Sequence, residues 1–89
     1  MALLMFTGDE CPHCHDMEPF IVRLEEEEGL VIKKLEVWHN AKNAHRLQEL
    51  DDGLCGGVPF FYNEETHESL CGAVPYEKFK AWATKKKLE

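Results

Sequence analysis

The sequence predicts an α/β fold in a single domain, and three observations predict it. Short apolar runs of strand length alternate with stretches of helical period, giving the order strand, helix, strand, helix, strand, strand, helix. Glycine, proline or asparagine stands at most of the junctions. The 89 residues hold no long linker, internal repeat or low-complexity tract, and that length supports one modest core and is too short for two.

The first strand is the apolar run at residues 2–6, "ALLMF", of the kind buried on both faces, and Gly8 and Asp9 close it. Pro12 suits the first turn of a helix, where its missing N–H costs nothing. The spacing predicts a helix over 12–28 with Met17, Phe20, Ile21 and Leu24 on its buried face and Gly29 as its stop. Pro19 should kink it, because it removes one backbone bond and crowds the carbonyl of His15. Residues 30–37, "LVIKKLEV", read as the second strand, and Asn40 can cap a helix over 41–50 that turns Ala44, Leu47 and Leu50 inward. Residues 58–62, "VPFFY", form the third strand, 63–67 a turn, and 68–71, "ESLC", a fourth strand that Gly72 ends. A last helix over 75–87 buries Phe79 and Trp82. Trp38, Phe60, Phe61 and Trp82 read as core, with Trp38 also a candidate border of a substrate groove. The acidic run at 25–28 reads as solvated surface, and the lysines at 85–87 as a solvated helix end that complements the dipole.

A formal charge of −7, from 17 acidic against 10 basic residues, argues against a nucleic-acid partner, whose affinity rests on Lys and Arg neutralising phosphates. No apolar run approaches the roughly 18 residues that span a bilayer. "ALLMF" follows Met1 without a charged segment or a cleavage site, so no membrane partner is expected and cytoplasmic residence is the default. The terminal Leu88-Glu89, compatible with a cloning remnant, is given no role.

The chemistry lies in "ECPHCHDMEP", residues 10–19. Cys11-Pro12-His13-Cys14 is a dithiol motif of the redox-active kind, yet Cys11 to His15 also spells C-x-x-C-H, the attachment sequence of c-type haem. Haem would need a second axial ligand, for which Met17 is too close and Met5 lies in the strand-like run, leaving His39, His45 or His67, and a largely helical wrap, which the β-branched and aromatic second half does not suggest. Zinc is a third reading, with Cys11, Cys14, Cys55 and Cys71 as ligands aided by His13 or His15. Structural zinc sites usually bring a second close-spaced pair, whereas Cys55 and Cys71 stand sixteen apart.

With the dithiol at the turn from the first strand into the first helix, with Pro19 five residues after the second cysteine and with Val58-Pro59 ahead of the third strand, the chain resembles the thioredoxin superfamily over nearly its whole length. The layout is similar to that of glutaredoxins, and the Pro-His dipeptide to that of the DsbA oxidases. The resemblance implies a thioredoxin-like fold, a four-stranded mixed sheet flanked by three helices, and a dithiol-disulfide oxidoreductase without bound cofactor or metal. It implies Cys11 as nucleophile and Cys14 as resolving thiol. At the N-terminus of the helix Cys11 meets free N–H groups and the positive end of the dipole, while Cys14 lies one turn deeper and more enclosed. His13 would favour the thiolate, Pro12 would open the helix, and a cis Pro59 would face the dithiol. Val58 would then offer its backbone to an extended substrate, with Gly57, Gly72 and Trp38 around it.

The departures from the family shape the expected partners. Glu10 replaces the tryptophan that thioredoxins carry before the first cysteine, and Met5 their buried acid. Asp9-Glu10 and Ala73-Val74 stand where glutathione-using glutaredoxins carry a basic residue and an acidic pair. Glutathione is therefore disfavoured, and a protein disulfide, with an upstream reductase, is the expected partner. The alternative on the same fold is a redox sensor or a metal-thiol binding protein. Cys55 and Cys71 read first as buried, inert packing residues, and otherwise as a second dithiol that relays electrons or senses oxidation.

Overall fold

The computed structural model describes residues 3–51, 53 and 55–85. Ala2 of the expected first strand, the lysines at 86 and 87 and the Leu88-Glu89 pair lie outside the described residues. Strand β1 is Leu3–Thr7, and its three central residues are buried because the sheet is covered on both sides there. Leu4 and Phe6 point to one face and Met5 to the other, as the two-residue period of a strand requires. Strands β2 (Ile32–Glu36), β3 (Phe60–Asn63) and β4 (Ser69–Cys71) complete a four-stranded sheet in the order β2-β1-β3-β4. The sheet is mixed: β1 runs parallel to β2 and antiparallel to β3, and β3 is antiparallel to β4.

The parallel pair needs a crossover, and helices α1 (Pro12–Asp16) and α2 (Glu18–Glu28) supply it. The expected single helix over 12–28 is divided at Met17, two residues ahead of Pro19. The cause is local: Pro19 has no N–H to give His15, so Met17 N–H turns back to the Cys14 carbonyl at 3.2 Å and α2 starts afresh with Pro19 in its first turn. Gly29 ends α2 with φ 65°, as expected. Helix α3 is Ala41–Asp51, opened by Asn40, whose Oδ1 accepts the Asn43 N–H at 3.1 Å. Helix α4 is Tyr76–Thr84.

Two apolar layers result. Met5 and Phe61 pack with Met17, Ile21, Leu24, Phe79 and Trp82 under α1, α2 and α4, and this layer also encloses Cys11 and Cys14. Leu4, Phe6, Leu35 and Phe60 pack with Leu47 of α3 on the opposite face. Phe61, Phe79 and Trp82 hold one another at ring centroids 5.1 to 5.7 Å apart. Each fully buried phenylalanine stabilises the fold by about 1.5–3 kcal/mol.

Two expectations change. Trp38 is not core: it lies beyond the end of β2 and is 51% exposed. The acidic run at 25–28 is more than solvated surface, since Glu25 accepts the Ile32 N–H at 3.1 Å, and Glu27 and Glu28 pair with Lys80 of α4. Tyr76 donates to Glu27 and sits under the Arg23 guanidinium at 4.1 Å, tying α2 to α4.

Candidate functional site

Cys11 is the N-cap of α1, and its Sγ accepts the Cys14 N–H at 3.1 Å, taking the place a serine or aspartate oxygen fills in other helices. Cys11 and Cys14 are joined as a disulfide with Cα atoms 5.2 Å apart. Pro12 stands at the exposed start of the helix. The expected contrast in exposure is small: Cys11 is 3% and Cys14 1% exposed, because α1 presses both sulfurs against the sheet layer of Met5 and Phe61. What separates them is the bond, since only the Cys11 sulfur receives a backbone N–H. His13 is exposed and its Nδ1 lies 3.9 Å from the Asp16 carboxylate at the helix surface.

The loop ahead of Cys11 is clamped from β2. The Glu36 carboxylate accepts the N–H groups of Asp9 at 3.0 Å, Trp38 at 3.2 Å and His39 at 2.7 Å, fastening the β1–α1 loop to the β2–α3 loop. Burial pushes the Glu36 carboxyl up, but the N–H bonds from His39, Asp9 and Trp38 outweigh it and hold the group below the usual carboxylate range. Across the same gap His39 Nε2 meets both Glu10 oxygens at 2.7 and 2.8 Å, and this bond lifts His39 above its ordinary 6.5. Trp38 covers Gly8 so closely that a Cβ there would enter its indole ring. His15 Nε2 contacts the Asp9 carbonyl at 2.8 Å.

The opposite wall is the segment leading into β3. The Val58-Pro59 bond is cis, and the Val58 carbonyl oxygen lies 3.8 Å from Cys11 Sγ. Pro59 is fully buried, and its carbonyl accepts the Gly72 N–H at 2.8 Å. Cys55 and Cys71 are not the buried packing residues expected: Cys55 is half-buried, Cys71 is exposed, and the two form a second disulfide with Cα atoms 5.5 Å apart. Asp51, 4% exposed, accepts the N–H groups of Cys55 at 2.6 Å and Gly56 at 2.8 Å. A hollow of about 360 Å³ lies between this segment and α3, bordered by Trp38, Leu47, Gln48, Asp51, Gly57 and Val58. Trp38, Gly57 and Val58 thus border one hollow, and Val58 links it to the dithiol through its carbonyl, whereas Gly72 stands behind Pro59 as a backbone partner. Neither this hollow nor a larger one of about 500 Å³ between β4 and α4 is lined by a cysteine.

In this structure the four cysteines are joined as two separate disulfides, Cys11–Cys14 and Cys55–Cys71. The axial candidates are also engaged: Met5 and Met17 are core, His39 bonds Glu10, His45 lies 3.4 Å from Glu49, and His67 bonds the Tyr62 hydroxyl at 2.9 Å. Asp9, Glu36 and His39 bring three ligand-type atoms within 4.8 Å of one another, but Glu36 and His39 are occupied by the bonds just described. Sequence reasoning missed Glu36, the Glu10–His39 pair and Asp51. Only Asp51 left a trace, as an acid at a helix C-terminus where the dipole opposes it, next to a glycine-rich turn. Among the described residues no helix is long and apolar enough to cross a membrane. The chain matches no protein-family model and no curated protein sequence.

Proposed function

We propose that the chain is a thiol-disulfide oxidoreductase with a thioredoxin-like fold, exchanging disulfides with a protein partner. The observation that carries this reading is the Cys14 N–H directed at Cys11 Sγ, in a pair joined at the first turn of a helix. In the reduced chain that N–H favours a thiolate on Cys11, which attacks one sulfur of the partner's disulfide and expels the other as a thiolate. Cys14 then attacks Cys11 Sγ, breaking the mixed disulfide and releasing the partner's second sulfur. The pair ends oxidised, and the partner has gained two electrons and two protons. Met5 stands beside Cys14 where a buried acid would otherwise take its proton, so the departing partner thiolate receives it. An upstream reductase returns the pair to the dithiol. The Val58 carbonyl and the adjoining hollow give an extended partner segment a backbone acceptor and an apolar wall.

The test is trapping. Cys14→Ser, challenged with a peptide carrying one disulfide, is expected to accumulate a stable mixed disulfide through Cys11, because attack proceeds and release is blocked. Cys11→Ser is expected to trap nothing at this pair. Equal trapping by both variants would reverse or erase the assigned roles, and trapping by neither would end the oxidoreductase reading.

A further inference from the structure

The second disulfide joins two parts of the chain that meet at the first. Cys71 ends β4, the outer strand, opposite Phe60 in the β3 register, and it is exposed. Cys55 opens the short segment that runs through Gly56 and Gly57 to Val58, whose carbonyl oxygen faces Cys11 Sγ. That segment has few other ties. A Cβ on Gly56 or Gly57 would meet nothing within 4 Å, so a side chain at either position would project into open space. Gly56 adopts φ 77°, where side chains are disfavoured. The described anchors are the two N–H bonds to Asp51, the side chain of Val58, which touches both apolar layers, the packing of Cys55 on the layer of Leu4 and Phe6, and the bond to Cys71. Exposed disulfides are the ones that thiols reach and reduce.

We infer that Cys55–Cys71 is a second redox-active disulfide, opened by a dithiol reductant, and that its state sets the reactivity of Cys11 through the Val58 segment. The reductant's thiolate attacks Cys71 Sγ, the accessible sulfur, and the bond to Cys55 breaks. Cys55 leaves as a thiolate, takes up a proton and has the Gly57 carbonyl as an acceptor 3.6 Å away. The reductant's second thiol then attacks its own sulfur in the mixed disulfide and releases Cys71, which takes the second proton. Two electrons have passed to the pair, and the reductant has become a disulfide. With the bond open, the segment keeps its bonds to Asp51 and the packing of Cys55 and Val58 but loses its covalent tie to β4, and the carbonyl wall beside Cys11 is less fixed. The exchange stands on its own; only its effect on Cys11 rests on the function proposed above.

The experiment equilibrates the whole chain, and a Cys11→Ser/Cys14→Ser variant holding only the second pair, in graded mixtures of reduced and oxidised dithiothreitol. Acid quenching, differential alkylation and peptide mass mapping read each pair separately, while circular dichroism follows the fold. The variant is expected to open Cys55–Cys71 reversibly with its folded spectrum intact. In the whole chain, opening the second pair is expected to change the rate of Cys11 alkylation by about threefold or more, and Cys55→Ser/Cys71→Ser should show the same changed rate. Opening that occurs only with loss of the folded spectrum would make the bond a structural staple and overturn the inference. An unchanged Cys11 rate in the open chain would overturn it as well. If the serine pair fails to fold, the dithiothreitol series decides alone. Because the variant without Cys11 and Cys14 tests the exchange directly, its outcome is independent of whether the first pair acts on a partner.

Discussion

Alkylation of the reduced chain near neutral pH is expected to fall on Cys11 and to spare Cys14, and the size of the preference follows from one bond. The Cys14 N–H lies 3.1 Å from Cys11 Sγ and becomes charge-assisted once that sulfur ionises. A hydrogen bond to a charged group contributes about 1.5–3 kcal/mol, and about 1.4 kcal/mol shifts an ionisation ratio tenfold, so the thiolate share of Cys11 should rise about ten- to a hundredfold over that of a free cysteine. Burial of Cys14 in the layer of Met5 and Phe61 acts the other way on its own thiolate. Access cannot explain a large difference, since the two residues are 3% and 1% exposed. The assay is the rate of iodoacetamide modification against pH, with the modified cysteine identified by mass. Cys14→Ser keeps the backbone N–H at that position and should leave the Cys11 profile nearly unmoved, which separates the backbone bond from the neighbouring thiol. Faster modification of Cys14, or a Cys11 midpoint no lower than that of a free cysteine, would refute the assignment of this bond as the source of the thiolate.

Two further outcomes test the walls of the site. Asp51→Asn leaves one side-chain oxygen where two backbone donors now bond, and turns an NH2 group toward the other. Denaturant unfolding should show a loss of about 1–3 kcal/mol, and an unchanged midpoint would mean that solvent replaces the lost acceptor. His39→Gln tests the clamp through pH. The hydrogen bond to Glu10 raises His39 above 6.5, so its contribution to stability is complete below that value and is lost as pH rises through the raised folded value. The substitution should flatten the stability profile across that window, whereas an unaltered slope would mean that the pair contributes nothing.

Much of this architecture is legible in the sequence because it rests on local chemistry. The run of Leu3 to Phe6 is continuous because both faces of β1 are covered, Asn40 has a side chain that caps a helix, and Gly29 takes a conformation other residues avoid. The elements that escape are those for which the sheet register or a single long-range bond decides. Trp38 looks like core by composition, but it follows the end of β2, where the two-residue period no longer assigns a face, and it rests on Gly8 instead. Cys55 and Cys71 look like separate thiols until the β3–β4 register sets Cys71 opposite Phe60 and the chain entering β3 returns Cys55 beside it. Glu36 is one acid among seventeen, and only the approach of two loops makes it the acceptor of three N–H groups.

The two walls of the dithiol are built differently, and this bears on how partner choice and sulfur chemistry divide between them. On one side the loop entering Cys11 is fixed by Glu36, by the Glu10–His39 pair and by the packing of Trp38 on Gly8, and the N–H that tunes Cys11 comes from the helix itself. Several bonds therefore share the task of holding that side. On the other side the Val58 carbonyl is reached through two glycines and held by one carboxylate, one exposed disulfide and the packing of Cys55 and Val58. Segments with few packed contacts open at low cost. The N–H directed at Cys11 Sγ therefore belongs to the rigid wall, and the carbonyl facing the same sulfur to the adjustable one. On the proposed function, changes around Asp51 and Cys55 would act on Cys11 and on the surface offered to a partner through the Val58 carbonyl, while leaving the Cys14 N–H bond in place.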